Sequence, residues 1–373
     1  RALAEVHGGC VIFIDEFDSV ARPRQGDRGF GGGISHDATV NQLLTDLDGL
    51  KHQTKNIIVI GATNVPESEL DPALMRAGRF DRKLYVGRPN LNDRNELFKF
   101  YLEKTSYDSS VDTSILARKT VYFTPADIAN MVREASLLAI RDSRESITMK
   151  DLSEAYDRVV FGLRSQFNLS DKEKLWTAYH EAGHAIIAYL LHPTDDVIKA
   201  TIIPRKGFLG YVGHRPAEEV YTNNRERLLA DIKISLGSYV AENMKFNSTS
   251  SGVESDFQKA LETAHSMVWR WGMGKSGILG NYGALNEAYG RWGGTVPISE
   301  KTRERLDEDV QQLIQECLRD VQETLTKEKE VFEHFAQELV KKEELDYDEI
   351  EAIFKKFGKS RPRPVDPAAD IVG

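Results

Sequence analysis

The run His180-Glu181-Ala182-Gly183-His184 constrains this chain more than any other stretch, because it sets two imidazoles and a carboxylate on one apolar helix. Its flanks, Trp176-Thr177-Ala178-Tyr179 and Ala185-Ile186-Ile187-Ala188-Tyr189, contain no proline and read as a buried helix. Residues four apart on such a helix share a face about one turn apart, so both rings can reach one metal ion. Glu181 then points to the open side of that metal. Zinc lowers the pKa of a water toward ~7, and a neighbouring carboxylate can take its proton as it attacks a carbonyl. The alternative is a helix that merely carries two histidines. Small Ala182 and Gly183, read as keeping backbone bulk away from the metal, weigh against it.

With 373 residues the chain has room for two or three domains, each with its own core. A hydrophobic share of 40% beside 29% charged residues is an ordinary globular balance. The net charge of -9, with no dense Lys/Arg stripe, argues against nucleic acid as a partner. Cys10 and Cys317 are far apart and the His pair sits among no thiols, so a reducing compartment is expected rather than a disulfide scaffold. No apolar run reaches the ~18 residues of a membrane span, and a soluble piece is expected. The first residue, Arg1, runs at once into structured sequence, which suggests the C-terminal part of a longer protein.

Along the chain, Cys10-Val11-Ile12-Phe13-Ile14 is an unbroken apolar strand ending in Asp15-Glu16, the kind that lies centrally in a parallel sheet. A Gly-rich loop (Gly26–Gly33), a helix around Asn41–Leu47 and a second buried strand, Ile57–Ile60, follow. This strand–helix–strand order reads as half of a doubly wound α/β domain. From Asp93 to Val160 the pattern turns helical, and Ser165–Asp171 is a polar joint. Beyond it the HExxH helix, a β-branched strand over Val197–Pro204, and helices over Arg225–Asn243 and Asp256–Arg270 are expected. Ser299 is placed to cap a long helix with Leu306, Val310, Leu313 and Cys317 on one stripe. The expected divisions are 1–92, 93–164, 165–358 and a polar tail over 359–373.

An apolar strand ending in Asp15-Glu16 suits phosphoryl chemistry: the Asp holds magnesium and the Glu orients and deprotonates water. Gly61-Ala62-Thr63-Asn64 sets a polar side chain at the next strand tip, and Arg76-Ala77-Gly78-Arg79-Phe80-Asp81 offers two guanidinium groups on a tight turn. Such arginines are either paired to local carboxylates or reach the nucleotide of a neighbouring subunit. No G-x-x-x-x-G-K-[ST] occurs. Gly274-Lys275-Ser276 imitates its end, but Trp269 stands where the first Gly is required.

These segments, in this order, resemble the membrane-anchored ATP-dependent zinc metalloproteases of the AAA class, the FtsH family, from about Gly8 to Phe354. The resemblance implies a partial α/β AAA module (parallel sheet plus α-helical lid subdomain) followed by a mostly α-helical zinc metalloprotease domain. It implies Asp15 and Glu16 as the Walker B pair, Asn64 as the sensor, and Arg76 and Arg79 as trans-acting arginines. The implied cofactors are Zn2+, ATP and Mg2+, with the phosphate loop upstream of Arg1. The implied partners are protein substrates, sister subunits in a hexameric ring, and a membrane for the longer parent. Departures are Ala77 for the usual Pro, Thr124-Pro125 in the lid, and Tyr101 for a His near the adenine.

Zinc needs a third protein ligand and one open position for catalysis. Ser250-Ser251-Gly252-Val253-Glu254-Ser255-Asp256 resembles the family's third-ligand segment, with Asp256 as ligand. Otherwise Asp256 only caps its helix. Glu242 is a second choice as ligand, or a partner that orients a motif His. His192, before Pro193, reads as a helix-end residue. The strand Lys199–Pro204 with Gly207–Gly213 looks like the family's substrate-binding edge. The expected function is that of an ATP-dependent zinc endopeptidase. The alternatives are an AAA unfoldase or chaperone with a retired protease site, and an assembly domain stapled by zinc; zinc content and peptide cleavage separate them.

Overall fold

The computed structural model describes residues 2–23, 33–51, 56–165, 167–205, 207–216, 219–285 and 298–360. The expected Gly26–Gly33 loop lies outside the described residues except for Gly33, as does the tail except for Lys359 and Ser360. The chain divides into two compact units, Arg1–Gly87 and Arg88–Gly373.

In the first unit, α1 (Ala2–His7) leads into β1 (Gly9–Ile14), then a short α2 (Asp18–Ala21), α3 (Gly33–Lys51) and β2 (Asn56–Gly61). β1 and β2 are parallel, with Gly9 opposite Asn56 and Ile14 opposite Gly61, as strands joined through a helix must be. α3 runs well beyond the expected Asn41–Leu47, since its opening Gly33–Thr39 carries little apolar periodicity to reveal it. Phe17, Val40, Leu44, Leu70 and Leu74 form the core of this unit, and the Phe17 and Phe80 rings lie 4.4 Å apart. The strands themselves correct an expectation. Unbroken apolar runs predict burial on both faces, yet Val11, Phe13 and Ile58 are 63%, 61% and 59% exposed. An apolar side chain is buried only by what packs on it, and among the described residues each strand has the other as its one sheet neighbour.

The second unit opens with α4 (Leu91–Leu102), α5 (Thr113–Lys119), α6 (Pro125–Arg141) and α7 (Met149–Phe161). Asn90/Asp93, Thr124/Asp127 and Thr148/Asp151 close reciprocal caps on α4, α6 and α7. Pro125 sits in the first turn of α6, where its missing N–H would have had no helical partner. Phe98, Leu102, Leu116, Ile128, Met131 and Leu152 pack between these helices.

The rest of the unit is built around α8 (Asp171–Leu191), capped by Ser170 and Glu173. It is followed by β3 (Asp195–Thr201), β4 (Tyr211–Pro216), α9 (Arg225–Phe246), α10 (Glu254–Trp269), α11 (Glu300–Lys327), α12 (Lys329–Lys342), β5 (Glu344–Asp346) and α13 (Tyr347–Lys356). Ser299 caps α11 by accepting from the Thr302 N–H. α8 is buried along most of its length by α9, α12 and β3. Its crossing with α9 is a backbone contact. A Cβ on Gly237 would lie 2.7 Å from the Gly183 carbonyl oxygen, and one on Gly183 would lie 2.7 Å from the Ala241 Cβ. Gly183 is therefore small because α9 lies against it, not to leave room for a metal.

One further expectation changes. β3 is the middle strand of an antiparallel sheet ordered β4-β3-β5, so the edges among the described residues are β4 and β5, and of the expected substrate edge only the Gly207–Gly213 part reaches one, at Tyr211–Gly213 of β4. Side chains tie the segments on either side of the polar joint at Ser165–Asp171. Lys199 of β3 donates to Asp157 of α7, both nearly fully buried, and Arg215 of β4 donates to the Val121 carbonyl at 2.9 Å.

Candidate metal centre

α8 presents His180 and His184 on one face, ring centroids 5.0 Å apart. α9 lies against that face and supplies partners at intervals of four residues. The Ile234 carbonyl is 2.7 Å from His184 Nδ1, and Glu242 Oε1 is 2.7 Å from His180 Nδ1. Between them Ser238 Oγ donates to Asp256 Oδ2 at 2.7 Å. Asp256, in the first turn of α10, brings that same oxygen to 3.3 Å from His180 Nε2 and 3.2 Å from His184 Nε2. The N-cap of α10 is Val253, so Asp256 does not cap its helix.

The tautomers follow from these partners. A backbone carbonyl only accepts, so His184 Nδ1 carries its proton and donates to Ile234. Glu242 is also an acceptor. Burial works against its ionisation, but hydrogen bonds from His180 and from the Ser250 N–H (2.6 Å) outweigh burial and hold the carboxyl below the usual range. Both Nε2 atoms are thereby turned toward Asp256 Oδ2 as lone-pair donors in the neutral rings, the arrangement that orients metal-ligating histidines. Without a cation, burial pulls the His180 pKa down, but Asp256 and Glu242 overcome it and push it up to about 10. The pocket thus holds a proton where it has the donors for a metal. Two imidazole nitrogens and one carboxylate oxygen form a set that fits zinc, with ligand atoms all within 4.8 Å of one another.

Glu181 lies beside this set, 5% exposed, its pKa raised first of all by burial. Thr177, one turn earlier on α8, and Gly210, just before β4, enclose it. A buried carboxylate with a raised pKa next to a cation site is suited to taking up a proton and giving it back.

Sequence reasoning missed Ser238 and the Ile234 carbonyl. Their spacing of four from Glu242 was the available signal, but it means something only once α9 is known to cross α8. It also read His192 only as a helix-end residue. The fold gathers His192, the C-cap of α8, with Asp195 and His214. This second trio is not a like site: His192 Nδ1 already accepts the Asp195 N–H at 2.8 Å, and Arg227 NH2 lies 3.2 Å from Asp195 Oδ1. With one ring nitrogen occupied and the carboxylate neutralised by a guanidinium, the trio holds β3 to α8 and α9.

In the first unit, Asp15 and Glu16 follow β1 and Asn64 follows β2, all exposed at the C-terminal ends of the two parallel strands. The Ala62 N–H donates to the Ile14 carbonyl (2.9 Å) and the Phe17 N–H to the Ala62 carbonyl (2.7 Å), which joins the two strand tips. Glu16 adopts φ +48°, with its N–H on Asp15 Oδ1 at 2.9 Å. Arg79 folds back into its own unit: it grips Asp48 of α3 with Nε (3.1 Å) and NH2 (2.6 Å) and donates to the Ala73 carbonyl (2.5 Å). Arg76, on the same turn, is exposed.

Comparison with known proteins places these segments. Residues 167–353 match the model for peptidase family M41, residues 1–88 that for the ATPase family associated with various cellular activities (AAA), and residues 110–154 that for the AAA+ lid domain. The chain is 38% identical over 360 residues to an ATP-dependent zinc metalloprotease FtsH of Thermus thermophilus, covering 96% of this chain and 57% of that protein. It is 38% identical over 370 residues to the FtsH of Veillonella parvula, covering 98% and 57%, and 39% identical over 350 residues to that of Chlorobium luteolum, covering 93% and 49%. The chain spans about half the length of these curated relatives. Among the described residues no helix is long and apolar enough to cross a membrane. A partial AAA domain with a small parallel sheet, a lid and a helical protease domain, matched over half its length by one peptidase model, makes this chain a member of peptidase family M41.

Proposed function

We propose that this chain is the catalytic part of an ATP-dependent zinc endopeptidase. The observation that carries the reading is the convergence of His180 Nε2, His184 Nε2 and Asp256 Oδ2, each held from behind, with Glu181 beside them. His180, His184 and Asp256 would hold Zn2+, which when bound supplies a Lewis acid that polarises a peptide carbonyl and acidifies a water. Glu181 takes that water's proton and returns it to the leaving amine; its burial keeps the carboxylate basic enough for both transfers. Glu242 and the Ile234 carbonyl keep the two rings in the tautomer that faces the zinc. The β4 edge is suited to hold an extended peptide by backbone pairing, with little sequence preference.

In the longer protein, Asp15, Glu16, Asn64, Arg76 and Arg79 would serve ATP and Mg2+, and hydrolysis would drive unfolding and translocation of protein substrates. The relatives' printed name, ATP-dependent zinc metalloprotease, supports this reading. Of the two arginines, exposed Arg76 is better placed for a neighbouring subunit than Arg79, which Asp48 engages. The proposal includes a hexameric ring, membrane anchoring of the longer protein, catalytic domains in a reducing aqueous compartment, and the divisions at 92/93, 164/165 and 358/359. Metal analysis of the purified chain, with digestion of an unstructured peptide before and after chelation, tests the core of it. About one zinc per chain and chelator-sensitive cleavage without ATP are expected; a zinc-loaded chain that cleaves nothing would overturn the protease reading.

A further inference from the structure

Gly210 has no side chain where the proposed general base needs support. It is the last residue before β4, and a Cβ built on it would lie 2.6 Å from Glu181 Oε1, 2.7 Å from Glu181 Cγ and 2.7 Å from Thr177 Cγ2. All three are closer than unbonded heavy atoms of these kinds approach. Its φ is not in the left-handed region, so backbone conformation does not call for glycine here. Space does. Thr177 and Glu181 are successive residues of one face of α8, 8% and 5% exposed, and the chain at Gly210 lies flat on the shelf they make.

Of the groups that a methyl would meet, the β-branched Thr177 is fixed on a buried helix and has little room to turn. The Glu181 carboxylate is the free end of a flexible side chain and is the part able to swing. From these contacts we infer that Gly210 is a positioning residue for Glu181: its bare backbone packs against the carboxylate side chain and holds it in one place. The inference rests on the reading of Glu181 as the proton acceptor, and it adds a group from outside the HExxH helix to that residue's placement. Displacing a catalytic group by about 1 Å can cost up to ~100-fold in rate, so a single methyl suffices to show the effect.

The test compares the zinc-loaded chain with Gly210→Ala on a fluorogenic unstructured peptide. We expect kcat to fall at least about 10-fold with KM within about twofold, and zinc content unchanged. Ile140→Ala, which truncates an exposed side chain of α6, should leave kcat within about twofold. A second measurement needs no activity. In the zinc-free chain, Gly210→Ala should lower the Tm by roughly 3–8 °C through overpacking, and by less than half of that when Glu181→Ala has already opened the space. An unchanged kcat, a loss confined to KM, or an equal Tm penalty in both backgrounds would overturn the inference. If the unsubstituted chain cleaves nothing, the protease reading fails by itself, and the Tm cycle still decides whether Gly210 sets the place of Glu181.

Discussion

The two ends of this chain carry candidate catalytic carboxylates in opposite conditions. At the tips of β1 and β2, Asp15, Glu16 and Asn64 stand exposed, and the strands behind them leave Val11 and Phe13 more than half exposed. On α8, Glu181 is 5% exposed, and each group around it has a second group holding it: Glu242 behind His180, Ile234 behind His184, Ser238 behind Asp256. A charge in water has a high-dielectric neighbourhood that screens it and leaves its geometry loose. A charge among buried, hydrogen-bonded partners is held in place and has its pKa moved. The candidate metal centre is therefore built within this chain, whereas among the described residues the strand tips have the residue types for nucleotide chemistry without the enclosure that would tune them.

The sharpest way to break that contrast is Glu181→Gln. It should keep the zinc and the fold while peptide cleavage falls by about 10²–10⁴, since only the proton acceptor is lost. Glu16→Gln in the same chain should leave peptide cleavage unchanged; equal losses from both would erase the difference between the two ends.

Next in size, Asp256→Asn should weaken zinc binding more than Glu242→Gln, for which a loss of ~10–100-fold is expected as an orienting partner. A zinc titration with a competing chelator that returned the reverse order would make Glu242 the ligand.

A smaller effect concerns pH. In the zinc-free chain the folded state raises the His180 pKa from 6.5 to about 10. A raised pKa adds stability that is fully present below the unfolded value and lost as pH rises through the folded one. The Tm of the zinc-free chain should thus decline between about pH 7 and 10, and zinc, replacing the proton, should flatten the decline. A zinc-free chain with constant Tm over that range would show that Asp256 and Glu242 do not hold a proton there.

The smallest expected change is on the other unit. Arg79→Ala removes a bidentate pair with Asp48, whose side chain is 44% exposed, so solvent screening limits the loss to about 1 kcal/mol. Peptide cleavage and zinc content should not move. Thermal unfolding followed by a probe confined to residues 1–87 would read the loss; no change would return Arg79 to the role of a side chain available to a neighbour.

Sequence reasoning reached His180, Glu181 and His184 because their relation is local: a helix of fixed pitch puts residues four apart on one face, and an apolar, proline-free flank secures the helix. Ser299 announced a helix start for the same reason, since a cap and its partner lie three residues apart. Asp256 came within reach only through a resemblance, because it lies far along the chain from the histidines it meets. The strands were legible as strands, but not their exposure or order. The Lys199–Pro204 strand reads as an edge only through the resemblance, and β3 is in fact the middle of its sheet, as pairing depends on segments as distant as Glu344–Asp346.

What this sequence determined by itself was therefore the contents of each helix face and the kinds of chemistry they allow. Only the tertiary structure decided which faces meet. Gly183 and Gly237 let α8 and α9 touch backbone to backbone, and that single crossing aligns Ile234, Ser238 and Glu242 with three groups they could not find along the chain. Hydrogen bonds of under 3 Å and the exclusion of water act over distances that a linear order does not encode. The same residues, equally spaced but not packed, would have ordinary pKa values and hold a metal weakly.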